Sequence, residues 1–266
     1  MATIGGLAND TLVCYRNSLV QCILGLPMVR DSFKTKKVDY EDAFFLMLRV
    51  VHHKFATGCK IVNIENDGDF DAIPEHIKRI DGNFSSQDPI DLFMFVSEKK
   101  ISMNIHKMFS YRCFQFDVTG NKYGTTSTQR IICDPTTIRI HTTDEIKFDH
   151  FFKQIVSMRN ENEQTSEYAF PVANPALLCI EIADPKKNMK ITEYIHASYV
   201  NDQTQDDDDT DVNYQLHSVI FREPENTNVP GHYVACVIHE NQWICHVSRL
   251  LPAFSPPLYT MCLHIF

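Results

Sequence analysis

What the chain lacks narrows the field first. No stretch of its 266 residues approaches the roughly 18 uninterrupted apolar residues that a membrane-spanning helix needs. There is no internal repeat and no collagen, heptad or solenoid period, so filaments and repeat scaffolds are set aside. No Cys-x-x-Cys occurs, and Cys113 and Cys133 stand singly, which argues against a four-thiolate zinc site. His52, His53 and Cys59 are a poor alternative metal set, because neighbouring residues of a helix point in different directions. Neither a metal nor any other cofactor is expected. Positive charge is also short: 25 Lys and Arg stand against 34 Asp and Glu, a formal charge of -9, so nucleic acid is not the expected partner. Between Gln242 and Phe266 there is no carboxylate side chain at all.

What remains is a chain with a hydrophobic fraction of 44%, enough to fill a core. Nine cysteines, an odd number without close regular spacing or a secretory pattern ahead of them, read as free thiols of a reducing compartment, the cytoplasm or nucleus. A monomer without membrane attachment is expected. The first half reads as helical. Tyr15 to Leu26 ends before Pro27, and Glu41 to Phe55 sets Phe44, Phe45, Leu48, Val51 and Phe55 at helical spacing. A third helix begins at Asp88, a capping residue followed by Pro89 at the first helical position and Asp91 in the first turn.

After residue 100 the period changes. Strands are expected over Tyr111 to Val118, Thr137 to His141, Leu177 to Ile182, Met189 to Ile195, Tyr214 to Phe221 and His232 to Ile238, with a short helix over Phe148 to Val156. The strand from His232 joins Trp243 to Val247 through a tight connector, as an antiparallel hairpin does, and Leu258 to Ile265 can close the sheet. The run Asp206 to Asp209 with Asp211 reads as a solvated linker. An α+β fold follows, a single domain over 1–266 with a helical lobe at 1–100 and a sheet-rich lobe at 101–266, facing each other across a cleft.

Two elements of that cleft carry chemistry. Cys14 stands at the start of a helix, where unpaired N–H groups favour a thiolate, although a cysteine is as a rule a small buried hydrophobe. Asn9 precedes it in a polar segment and can turn its amide to a developing oxyanion, or act as a turn residue. His232 follows Gly231 at a strand start; the glycine allows close approach, and the imidazole can take the thiol proton and return it to a leaving amine.

The segment Gly6-Leu7-Ala8-Asn9 to Cys14-Tyr15-Arg16-Asn17-Ser18-Leu19-Val20-Gln21 resembles the cysteine box of the ubiquitin-specific proteases, and Gly231-His232-Tyr233, with Trp243 beyond its strand, resembles their histidine box. Gln87-Asp88-Pro89-Ile90-Asp91 is similar to a further signature of that family. The resemblance spans nearly the whole chain and implies a papain-like fold with reduced fingers. It implies Cys14 as nucleophile, His232 as base and Asn9 as oxyanion-hole side chain. It also implies that Asp88 and Asp91 meet arginines of the modifier tail, with Gly231 and Tyr233 against its diglycine. The partners would be ubiquitin or a ubiquitin-like protein and its conjugated targets.

Two departures matter. Thr11, Leu12 and Val13 replace the family's glycine-asparagine-threonine run, and Val247 and Ser248 stand where an aspartate or asparagine normally orients the histidine. Ser248, His246 or a backbone carbonyl remain for that task, each weaker than a carboxylate. Two functions therefore stay open: thiol-dependent hydrolysis of the isopeptide bond after the modifier's terminal glycine, and a modifier-binding pseudoenzyme or adaptor with the same fold.

Overall fold

The computed structural model describes residues 5–8, 13–35, 41–78, 88–99, 101–110, 113–118, 128–133, 136–141, 158–159, 165–169, 176–183, 194–199, 210–222, 232–246 and 260–265. After the short strand β1 (Gly6–Leu7), the chain forms α1 (Cys14–Gly25), α2 (Pro27–Thr35) and α3 (Ala43–Ala56). Next come β2 (Ile61–Val62), a 3₁₀ turn at Gly68–Phe70, α4 (Glu75–Lys78), α5 (Pro89–Glu98) and α6 (Met103–Phe109). From residue 113 onward every described element is a strand: β3 (Cys113–Val118), β4 (Thr128–Cys133), β5 (Ile138–His141), β6 (Met158–Arg159), β7 (Thr165–Ala169), β8 (Leu177–Ala183), β9 (Tyr194–Tyr199), β10 (Thr210–Arg222), β11 (Tyr233–His239), β12 (Gln242–His246) and β13 (Thr260–Ile265). Helices early and sheet late is the division expected from the change of period.

The helix starts follow local chemistry. Asp88 caps α5, accepting from the Ile90 N–H at 2.9 Å, with Pro89 at the first helical position. Asp42 caps α3 by accepting from the Phe45 N–H at 3.0 Å, and its other oxygen accepts from the Ser102 hydroxyl and from both the backbone and side-chain N–H of Asn104. One buried carboxylate thus joins the starts of α3 and α6. Pro27 ends one helix and immediately begins another, α2, which the expectation of a plain stop had missed. Arg30 reaches back from α2 to donate to the carbonyls of Leu24 and Gly25 at the end of α1, at 2.8 and 2.7 Å.

The main sheet runs β12-β11-β10-β13-β8-β5, with β9 pairing the first half of β10. Its pairs are antiparallel except β5 with β8. A second sheet has the order β4-β3-β7-β6. β11 and β12 form the expected hairpin, and its turn residues Glu240 and Asn241 both take positive φ, the geometry of a two-residue turn matched to strand twist. Three expectations need correction. The strand expected over Met189 to Ile195 agrees at Tyr194 and Ile195 and runs on to Tyr199, where the expectation had stopped, and residues 189–193 lie outside the described set. The acidic run is not all linker, because Asp211 is a strand residue of β10 paired with Ser198. The cysteines are not all outside disulfides: Cys236 and Cys245, directly opposite on β11 and β12, form one, while Cys14, Cys22, Cys59 and Cys179 are in none. A cross-strand pair of this kind is invisible to reasoning from cysteine count alone. The helix expected over Phe148 to Val156 and residues 206–209 lie outside the described residues.

The core sits where α1 lies on β10 and β11, with α3, α5 and α6 around it. Phe93 and Phe109 meet edge to face at 4.9 Å between α5 and α6, and Phe33 and Phe45 at 5.1 Å between α2 and α3. Helix and sheet approach so closely that a Cβ built on Gly25 would lie 2.9 Å from Cγ1 of Val237. Gly25→Ala should therefore lower the unfolding midpoint, because overpacking at about 1–3 kcal/mol outweighs the helix propensity gained by alanine, about 1 kcal/mol. Adding Val237→Ala should recover part of the loss beyond additivity. Purely additive midpoints would show that the two positions do not press on each other.

Candidate functional site

The site is built outward from α1, whose residues Tyr15 to Gly25 are all buried although four of the first seven are polar. A helix buried on every side must satisfy its polar groups internally. Arg16, only 1% exposed, pairs with Glu65 at 3.3 Å and donates to the Lys78 carbonyl and the Asn17 side chain. Asn17 in turn donates to the Ala8 carbonyl at 2.8 Å. Ala8 also donates its N–H to the Val62 carbonyl at 2.9 Å, next to the parallel pair β1-β2. The strand before Cys14 is thereby strapped to the start of the helix that carries it.

The face of α1 toward the sheet fixes what Cys14 meets. Ser18 donates to the Tyr233 carbonyl at 3.0 Å. One turn on, Ser218 donates to the Cys22 carbonyl at 3.3 Å, the Cys22 thiol contacts the Val219 carbonyl at 3.6 Å, and Gly25 abuts Val237. Ser18 facing Tyr233 and Gly25 facing Val237 means that α1 and β11 run in the same direction. Four helical residues advance about 6 Å, a little under two residues of strand at about 3.3 Å each. Cys14, one turn before Ser18, therefore lies toward the start of β11, on the side of Tyr233 from which the strand enters. Cys14 and His232 are both partly exposed.

A third element closes on the same place. The Tyr233 hydroxyl donates to Oδ2 of Asp88 at 3.2 Å, joining the start of β11 to the start of α5. Arg222, directly opposite Tyr233 in the β10-β11 register, holds its guanidinium 6.0 Å from the ring centre. Burial raises the Asp88 carboxyl above the usual carboxylate range, and the Ile90 N–H, the Tyr233 hydroxyl and the Arg222 charge oppose that rise. Burial, then the Asp88 charge, pushes the Tyr233 hydroxyl up, and the Arg222 charge opposes that rise. Tyr233 and Asp88 are thus joined, with Ser18, one turn beyond Cys14, on the carbonyl of the residue after His232, while Asp91 lies in the first turn of α5, half-buried. Asn9, Gly231, Val247 and Ser248 lie outside the described residues. Among the described residues no group of three or more histidine, cysteine or carboxylate side chains could hold a metal.

Sequence reasoning missed Arg16 and Arg222. The first is a buried charge inside an otherwise recognisable segment. The second acquires its role only through strand register, for which a single sequence offers no signal.

Residues 5–248 match the family model described as ubiquitin carboxyl-terminal hydrolase. No curated protein matches the chain significantly. Among solved structures, the chain resembles the SAGA Ubp8/Sgf11/Sus1/Sgf73 DUB module bound to ubiquitin aldehyde, with 14% identity and a TM-score of 0.65 over 99% of this chain and 70% of that one. It is similar too to the yeast SAGA DUB module carrying an Sgf73 mutant, with 13% identity and a TM-score of 0.65 over 99% of this chain and 68% of that one. At such identity the likeness is one of fold: the papain-like architecture of a helical part followed by a late antiparallel sheet.

The raised Asp88 carboxyl has a pH signature. Its folded state holds the proton more tightly than the unfolded chain, so ionisation costs stability as pH rises from Asp's ordinary value near 4 through the raised one. Asp88→Asn keeps a capping side chain without that charge. The midpoint of the variant minus that of the wild type should become more positive from pH 4 to pH 7, read by thermal unfolding. A difference independent of pH would show that Asp88 ionises without penalty.

Proposed function

The chain belongs to the ubiquitin carboxyl-terminal hydrolase family, and we propose that it cleaves the isopeptide bond after the terminal glycine of ubiquitin or a related modifier with Cys14 as nucleophile and His232 as base. The observation that supports this reading is the parallel seating of α1 on β11, in which Ser18, one turn beyond Cys14, donates to the carbonyl of the residue after His232. In the first half-reaction the Cys14 sulfur attacks the glycine carbonyl while His232 takes the thiol proton. The tetrahedral oxyanion is held by the Asn9 amide and backbone N–H groups. Collapse breaks the C–N bond, and His232 passes its proton to the departing lysine amine. Water, deprotonated by His232, then attacks the thioester and frees the modifier's carboxylate and the Cys14 thiol.

Recognition in this reading falls to Asp88 and Asp91 at the start of α5, acting on cationic side chains of the modifier tail, with Gly231 and Tyr233 lining its diglycine. Ser248 orients His232 in place of the acid absent after Trp243. Action as a monomer on conjugated target proteins, in the cytoplasm or nucleus, belongs to the same proposal. The absence of any carboxylate from Gln242 to Phe266 favours a second reading, a module that binds the modifier without turnover.

Ubiquitin bearing a C-terminal electrophile should form one covalent adduct, resolved by intact mass, that is missing from Cys14→Ala and slowed at least about 100-fold in His232→Ala. A folded wild-type protein that forms no adduct with ubiquitin or its relatives leaves only the binding module. On a fluorogenic ubiquitin amide, Ser248→Ala should reduce kcat and Val247→Asp should raise it, since a charge beside His232 stabilises the imidazolium that delivers the proton. Unchanged kcat in both would remove Ser248 from the mechanism.

A further inference from the structure

We propose that Ser18 is a positioning residue that sets the spacing of Cys14 and His232 by holding the carbonyl of Tyr233, an inference that rests on the thiol–imidazole reading above. A serine inside a helix ordinarily satisfies its hydroxyl on its own helix. Ser97 does so here, donating to the Phe93 carbonyl at 2.7 Å, as does Ser32 to the Val29 carbonyl at 2.6 Å. Ser18 instead reaches out of α1 across 215 residues of sequence to β11, and it is 3% exposed, so water cannot replace the contact. Its acceptor is the residue next to His232, and its own position is one turn beyond Cys14.

The far side of that joint is equally constrained. Tyr233 is held through its hydroxyl by Asp88, through its ring by Arg222 and through its backbone by Ser18. With residue 233 fixed from three directions, residue 232 has little room to move relative to the sheet, and the Ser18 bond alone among these contacts refers that position to the helix bearing the thiol. The neighbouring link from Ser218 to the Cys22 carbonyl has the same chemistry and burial but ends on β10, a turn further from the thiol. It anchors the helix without addressing His232. A shift of about 1 Å in such a pair is enough to cost a large factor in rate.

The test compares Ser18→Ala, Ser18→Cys and Ser218→Ala with His232→Ala and wild type. Three measurements apply to each: thermal midpoint, kcat and KM on a fluorogenic ubiquitin amide, and the rate of Cys14 alkylation by iodoacetamide at pH 7 by peptide mass. The alkylation readout survives even where turnover is absent. Ser18→Ala should lower kcat and Cys14 alkylation by about 10-fold or more, toward the His232→Ala values, with KM within about twofold. Ser18→Cys, whose thiol is a weak donor at longer range, should fall between. Ser218→Ala should lose comparable thermal stability yet keep wild-type kcat and alkylation. Wild-type kcat and alkylation in Ser18→Ala, or in Ser18→Cys should the alanine variant not fold, would overturn the proposal, as would an equal loss in Ser218→Ala. If His232→Ala alkylates at Cys14 as fast as wild type, the pair itself is wrong and this inference goes with it.

Discussion

The seating of α1, buried from Tyr15 to Gly25, on β10 and β11 is the constraint to which the other features answer. Each hydrogen bond in that joint contributes only about 0.5–1.5 kcal/mol net, yet leaving either partner unmade would strand a buried polar group at about 1–3 kcal/mol. That asymmetry makes α1 a part with one allowed position: Ser18 must find Tyr233, Ser218 must find Cys22, and Gly25 must be small enough for Val237. Arg16 adds a charge that is tolerable only where Glu65 and the Lys78 carbonyl meet it. A buried pair of this kind fixes arrangement more than it adds stability, since its attraction mainly offsets desolvation.

The same logic explains why the start of α5 lies beside the start of β11. Asp88 serves the helix through one oxygen and Tyr233 through the other, so cap and site share a carboxylate. Burial raises its proton affinity while three donors or charges pull the other way. Asp91 lies in the first turn of α5 without a role in capping.

Much of this was legible from residues alone because it depends on local chemistry. The Asp88-Pro89 start of α5 is written in side chains that act within one turn, and the β11-β12 hairpin is written in two strand patterns and a short connector. The restart of the chain at Pro27 was missed, because a proline that stops one helix is equally suited to begin the next. The Cys236–Cys245 link was missed since two cysteines nine residues apart say nothing until the strands are in register.

The sequence by itself determined the chemical types at hand: a cysteine at a helix start, a histidine after a glycine at a strand start, acids at a helix cap, and no carboxylate to follow Trp243. These are facts of composition and of spacing within about one helical turn, the range over which backbone geometry is nearly fixed. Tertiary structure decided which of them meet. Ser18 and Tyr233 are 215 residues apart and Tyr233 and Asp88 are 145 apart, and no local rule relates such positions. Only the burial of α1 against the sheet brings them to bonding distance, because the core can close only when every polar group it covers has found a partner.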